Sequence, residues 1–175
     1  MSVLATCSRR LLAILAMSCF VTQARAETVY LAPEAFVQEV FGTPPQPELL
    51  WLDADVQQGL AKILGHPPRQ LRMRYWRRDG KTAWVLDEIG KESPITAGFV
   101  VQDQKIERAR LLIYRETRGM EVRYPSFLKQ FVGATLGADQ QLSRPIDGIS
   151  GATLSVEAMG RMARAALFLT GVAKP

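Results

Sequence analysis

Cysteine is almost missing from this chain. Its 175 residues include two, Cys7 and Cys19, and one histidine, His66. Both cysteines lie in the first 26 residues, so nothing after Ala26 carries a thiol. That excludes a disulfide framework from the rest of the chain. It also excludes a cysteine-held iron–sulfur cluster and a haem attached through C-x-x-C-H. A lone histidine without cysteine partners gives no zinc centre. His66 precedes Pro67-Pro68 and reads as a surface loop residue. Long apolar runs are missing too. Leu11–Val21 has 11 residues, against the roughly 20 that a membrane-spanning helix needs. No internal repeat or low-complexity segment interrupts the chain.

The first 26 residues have the three parts of a secretory signal. Arg9 and Arg10 form a basic start, Leu11–Val21 an apolar stretch, and Ala24-Arg25-Ala26 a small-residue cleavage site. The expectation is export to the periplasm with cleavage after Ala26. An uncleaved anchor is the alternative. A lipoprotein with Cys19 at the junction has a poor lead-in in Ala16-Met17-Ser18. Without this segment, Lys plus Arg drops from 22 to 19 against 17 acids, and the net charge from +5 to +2. So small an excess gives no reason to expect a nucleic-acid partner. What remains is the size of one domain.

The order of elements suggests an α+β fold. Pro33 opens a helical pattern through Phe36, Val37, Val40 and Phe41, and Gly42 ends it. A second helix starts near Asp53 or Asp55, which read as caps and not as a catalytic carboxylate pair. Its stripe is Val56, Leu60, Ile63 and Leu64, closed by Gly65. Two alternating runs then flank Asp79-Gly80, a strong hairpin signal. A second hairpin is expected from Ile95 to Arg115 around the polar turn Gln102–Lys105. These four strands predict a small antiparallel meander with one solvated face. Arg69–Arg78 is arginine-rich and reads as that solvated face, or as a docking patch for an acidic partner or headgroups. A short helix is expected over Ser126–Val132, and a last one over about Ser155–Thr170 with Gly171 as its stop. Trp51, Trp76 and Trp84 read as core or interface residues. Residues 27–68 form an N-terminal helical segment and 69–175 an α+β domain.

The chemistry concentrates in "PIDGISGATLSVEAMG", Pro145–Gly160. Ser150, Gly151, Ala152 and Thr153 precede a helix start. Unpaired N–H groups and the positive dipole end favour a phosphate there. Gly151 allows a tight turn, Ala152 is small, and Thr153 offers a hydroxyl. That hydroxyl could bond a phosphate, cap the helix or be esterified. "VGATLG" at Val132–Gly137 is an internal control. It has Lys129, Val132 and Gly137 where the other stretch has Asp147, Ser150 and Ser155, so Thr135 reads as a loop residue.

Asp147 to Ser155 resembles the flavinylation motif D-x-x-S-G-A-T-x-[ST] of the FMN-binding domain family. That family includes the flavin-bearing periplasmic subunits of the Rnf complex and of the sodium-pumping NADH:quinone reductase. The stretch Ile95–Gly133 is also similar, including Glu116-Thr117-Arg118-Gly119 for E-T-x-G and Phe127–Gly133 for F-x-x-Q-F-x-G. The likeness covers about Ile95–Leu169. After Gly119 the chain departs from the family's usual Gly-Leu-Gly with Met120-Glu121-Val122.

The resemblance implies a covalent FMN on Thr153, with Ser150, Gly151 and Ala152 beside the phosphate and Leu154 also among the cofactor-binding residues. Asp147 is implied to be part of what a flavin transferase recognises. Glu116, Thr117 and Gly119 are implied to lie near the isoalloxazine ring. The implied partners are that transferase and an integral-membrane redox protein of haem, flavin or quinone type. The implied role is a periplasmic electron carrier. Two rival readings are a flavin-dependent reductase with its own small substrate and a flavin-free binding module.

Overall fold

The computed structural model describes residues 27–173; the expected signal segment lies outside them. Six strands form one antiparallel sheet in the order β1-β6-β5-β4-β3-β2. They are β1 (Thr28–Val29), β2 (Glu48–Trp51), β3 (Arg72–Arg78), β4 (Lys81–Ile89), β5 (Pro94–Gln102) and β6 (Lys105–Tyr114). Four α-helices accompany them: α1 (Pro33–Phe41), α2 (Ala54–Leu64), α3 (Pro125–Leu128) and α4 (Thr153–Val172).

Both expected hairpins form. Asp79 and Gly80 have φ of 52° and 74°, so both central residues of the β3–β4 turn are left-handed. That backbone matches the twist of the strands it joins. Asp103 and Gln104 make the β5–β6 turn the same way, with φ of 50° and 59°. The four-strand meander is wider than the sequence suggested, because β1 pairs with β6 and β2 pairs with β3. Residues 27–68 thus supply both edge strands as well as α1 and α2.

The sheet also has two covered faces instead of one. On the first, α2 and α4 bury Leu60, Ile63, Met159, Met162 and Leu169 against Trp84, Phe99 and Val101. On the second, α1 packs Phe36, Val37 and Phe41 onto Ala83, Val100 and Leu112. β5 is therefore buried at every position from Ile95 to Val101. Gly98 makes the second contact possible. A Cβ there would stand 2.6 Å from two ring carbons of Phe36.

α4 begins two residues before the expected start and continues past Gly171 to Val172. Asp53 caps α2 as expected, accepting from the Val56 N–H at 2.9 Å. Trp84 is fully buried, stacked on Tyr75 at 4.8 Å and donating through Nε1 to Thr170 Oγ1 at 2.8 Å. Thr135 is a loop residue, its backbone tied to Ser143.

Two glycine substitutions separate these roles. Gly98→Ala is expected to destabilise by about 1–3 kcal/mol, because the core under Phe36 has no spare room. Gly160→Ala, in α4 with nothing within 4 Å of an added Cβ, is expected to stabilise by about 0.5–1 kcal/mol through helix propensity. Urea unfolding midpoints of the two variants check both signs.

Candidate flavin site

Two sequence stretches 30 or more residues apart meet at one buried hydrogen-bonded contact. The first leaves the end of β6 at Tyr114 and runs through Glu116–Gly119. The second is the turn Ile149–Ala152 and the first turn of α4. Tyr114 is buried, and its hydroxyl lies 2.9 Å from Ser155 Oγ while also donating to the Arg118 carbonyl. Ser155 is buried too. Gly119 seals the joint. Its φ is +87°, and a Cβ there would lie 2.7 Å from Ser155 Oγ, 2.8 Å from the Tyr114 hydroxyl and 3.3 Å from Ala152 Cβ. A side chain is excluded here both by backbone conformation and by space.

The rest of the Glu116–Gly119 loop is braced from outside. Glu116 Oε1 accepts the backbone N–H groups of Lys91, Glu92 and Ser93 at 2.6, 2.6 and 2.8 Å. The carboxylate thereby fixes the β4–β5 turn to this loop. Thr117 is exposed. A single 3₁₀ turn, Met120–Arg123, follows and buries Val122.

The motif strand is positioned from the other side. The N–H of Asp147 donates to Gln130 Oε1 at 2.7 Å, while Asp147 itself is exposed. Gln130 sits in the short helical stretch Lys129–Phe131, anchored by Phe131 edge-on to Phe99 and Phe127 at 6.1 and 5.5 Å. Ser150 and Gly151 then turn the chain, with Gly151 at φ +80° and the Ala152 N–H on the Ile149 carbonyl at 2.9 Å. Ser150 and Gly151 are exposed, and Ala152 is buried.

Thr153 is the first residue of α4 and is exposed. The cap position belongs to Ala152, which makes no side-chain cap hydrogen bond, and the first turn of α4 has no acid. The capping role open to the Thr153 hydroxyl in sequence is therefore not the one found. A 20-residue helix presents its positive end and its first N–H groups without an intramolecular side-chain partner. That is the electrostatics a phosphate ester on Thr153 would complement.

Exposed apolar side chains lie on both segments of the joint: Leu154 in the first turn of α4, and Met120 and Tyr124 just after Gly119, each at least 40% exposed. A shallow groove is walled by Tyr124, Phe127 and Ile149, with Glu121, Gln130 and Asp147 at its polar side. Arg123 lies over the Tyr124 ring at 5.3 Å. Sequence reasoning missed Tyr114, and it placed Gln130 in the F-x-x-Q-F-x-G helix without its role at Asp147. Both are ordinary residues whose importance lies in partners 41 and 17 positions away. His66, expected as a surface loop residue, is in a connector but bonds the buried Glu88 through Nε2 at 3.1–3.2 Å.

Burial raises the Tyr114 pKa above its ordinary value, partly offset by the Ser155 hydrogen bond. A folded state that holds this proton more tightly gains stability below the ordinary tyrosine value. It loses that gain as pH rises through the folded value. Tyr114→Phe is expected to cost about 1–3 kcal/mol at neutral pH, through two lost hydrogen bonds. It is also expected to flatten the decline in stability above about pH 10. Thermal unfolding followed across that range checks both.

Residues 90–168 match the FMN-binding domain family model. The match lies close to the Ile95–Leu169 stretch whose motifs carry the resemblance. No curated protein matches the chain. Both halves of the joint just described, Glu116–Gly119 and Asp147–Ser155, fall inside the matched segment. Over residues 90–168 the chain thus matches the family of FMN-binding domains, which implies FMN binding.

Proposed function

We propose that the protein is an electron carrier acting outside the cytoplasm, with FMN joined to Thr153 through a phosphoester. One observation carries the reading: Tyr114, Ser155 and Gly119 lock the two motif stretches together, while Thr153 stays exposed at an uncapped helix start. The residues present fit the group. The free N–H groups of the first turn of α4 suit the phosphate. Ser150 and Gly151 leave open space on its other side, with nothing within 4 Å of a Cβ added at Gly151. Tyr124, Met120 and Leu154 offer exposed apolar surface for the ring.

When bound, FMN supplies one- and two-electron chemistry. The chain's own contribution is position. Gly119 and Ala152 bring the loop and the helix start to contact distance. Glu116 holds the loop against the β4–β5 turn. Gln130 fixes the backbone at Asp147. The groove lined by Tyr124, Phe127 and Ile149 is shallow and open. An open ring edge suits transfer between proteins better than turnover of a sequestered small substrate. The basic and apolar start of residues 1–26 supports export. The partners we propose are a flavin transferase that modifies Thr153 and an integral-membrane redox protein that exchanges electrons with the flavin.

Intact-mass measurement tests the attachment. Co-expression with a flavin transferase is expected to add the mass of one FMN less one water. Thr153→Ala is expected to abolish the gain, and Thr135→Ala to retain it. An adduct that survives Thr153→Ala would overturn the assignment, as would an unmodified chain beside an active transferase.

A further inference from the structure

The sheet forks between β3 and β4. Their ladder runs from Arg78↔Lys81 to Tyr75↔Trp84 and stops there. β3 continues to Arg72, but residues 72–74 pair only with β2. β4 continues to Ile89, but residues 85–89 pair only with β5. Two strand edges that would normally bond each other face a gap instead.

Side chains hold the fork open. The Ile89 N–H donates to Glu88 Oε1 at 2.8 Å, and the Ile89 carbonyl accepts from Arg161 Nη2 at 2.9 Å. The buried Glu88 is also bonded to His66, from the connector that leads into β3. At the base of the fork, Tyr75 stacks on Trp84.

A cavity of about 310 Å³ occupies the gap. Its walls include Leu60, Met73, Trp76, Leu86, Met162 and Leu169. Unpaired strand edges beside an apolar space are costly to leave unmet. The volume is at the lower end of small-molecule sites, and apolar walls surround a polar group of His66, Gln70 and charged side chains. The lining sets Arg69 and Arg74 against Glu34 and Asp87, and the buried Glu88 is met by His66 and Arg161, so it selects no net charge. The Trp76 ring and the open strand edges favour a flat molecule with a hydrogen-bonding group.

We propose that the fork binds a neutral, ring-containing amphiphile of about two fused rings. Thr153 does not line the cavity. Met162, the first α4 residue that does, is nine positions further on, about 13 Å along the helix at 1.5 Å per residue. The inference therefore stands apart from the flavin reading.

Calorimetric titration of the full exported protein with 1-naphthol tests it. The expected result is saturable one-to-one binding, at least tenfold weaker in Met73→Trp, where the new ring fills the space. Thr153→Ala and Leu154→Ala are expected to bind as the unaltered chain does. Leu64→Phe is a second filling variant should Met73→Trp misfold, and far-ultraviolet circular dichroism reports folding in each. 2-Naphthoate and 2-naphthylmethylammonium are expected to bind at least tenfold more weakly than 1-naphthol. Absent saturation, or equal affinity in a folded filling variant, would overturn the site. Loss of binding in Leu154→Ala would move it to the flavin side. Equal affinity for a charged analogue would overturn the neutral class.

Discussion

The hydrogen bond between Tyr114 and Ser155 is the constraint on which the candidate flavin site depends. It joins the end of the last strand to the first turn of the last helix, across 41 residues of sequence. Both side chains are buried, so neither can exchange its partner for water. A buried hydroxyl left alone costs about 1–3 kcal/mol, and this keeps the pair together. Gly119 has to be a glycine for the same reason, since any side chain would enter the space between the two hydroxyls. The position of Thr153 follows. With Ser155 turned inward, Thr153 and Leu154 face outward at the helix start.

Around that joint, polar side chains act mainly on backbone. Glu116 gathers three N–H groups of the β4–β5 turn, Gln130 takes the N–H of Asp147, and Arg161 donates to the Ile89 carbonyl. Each joins segments that no ladder connects. Loops 90–93, 116–119 and 145–152 are thereby fixed relative to one another without regular structure. The exposed surface they leave is apolar at Met120, Tyr124 and Leu154, and cationic at Arg123.

Much of this could be read in the sequence, for identifiable reasons. Asp79-Gly80 signalled its hairpin because only certain residues accept left-handed backbone, and the alternation on both sides agreed. α2 was evident from its cap and stripe. β1 and β2 were not, since two and four residues are too short to show a period. Nor was the covering of the second sheet face. It depends on the fit of Phe36 over Gly98, and a glycine in a strand does not say what lies above it. At the site, Asp147–Ser155 stood out because its spacing is specific, and the failed copy around Thr135 showed which letters matter. Tyr114 carries no motif of its own, and the Gln of F-x-x-Q-F-x-G gives no sign that it holds the backbone at Asp147. The fork was invisible for a similar reason, because both of its strands have ordinary alternating patterns.

The place of Thr153 at the first position of α4 has a consequence for local stability. Helix ends open more readily than helix middles. Here 19 residues follow Thr153 in the same helix, most of them docked on the sheet. One turn at the start can unwind while the remainder stays packed, and in that turn Ser155 is the buried side chain that resists. For the attachment proposed at Thr153, a modifying protein that needs the segment as extended chain would confront a local opening governed mainly by one buried hydroxyl pair. It would not confront the cooperative unfolding of the whole domain.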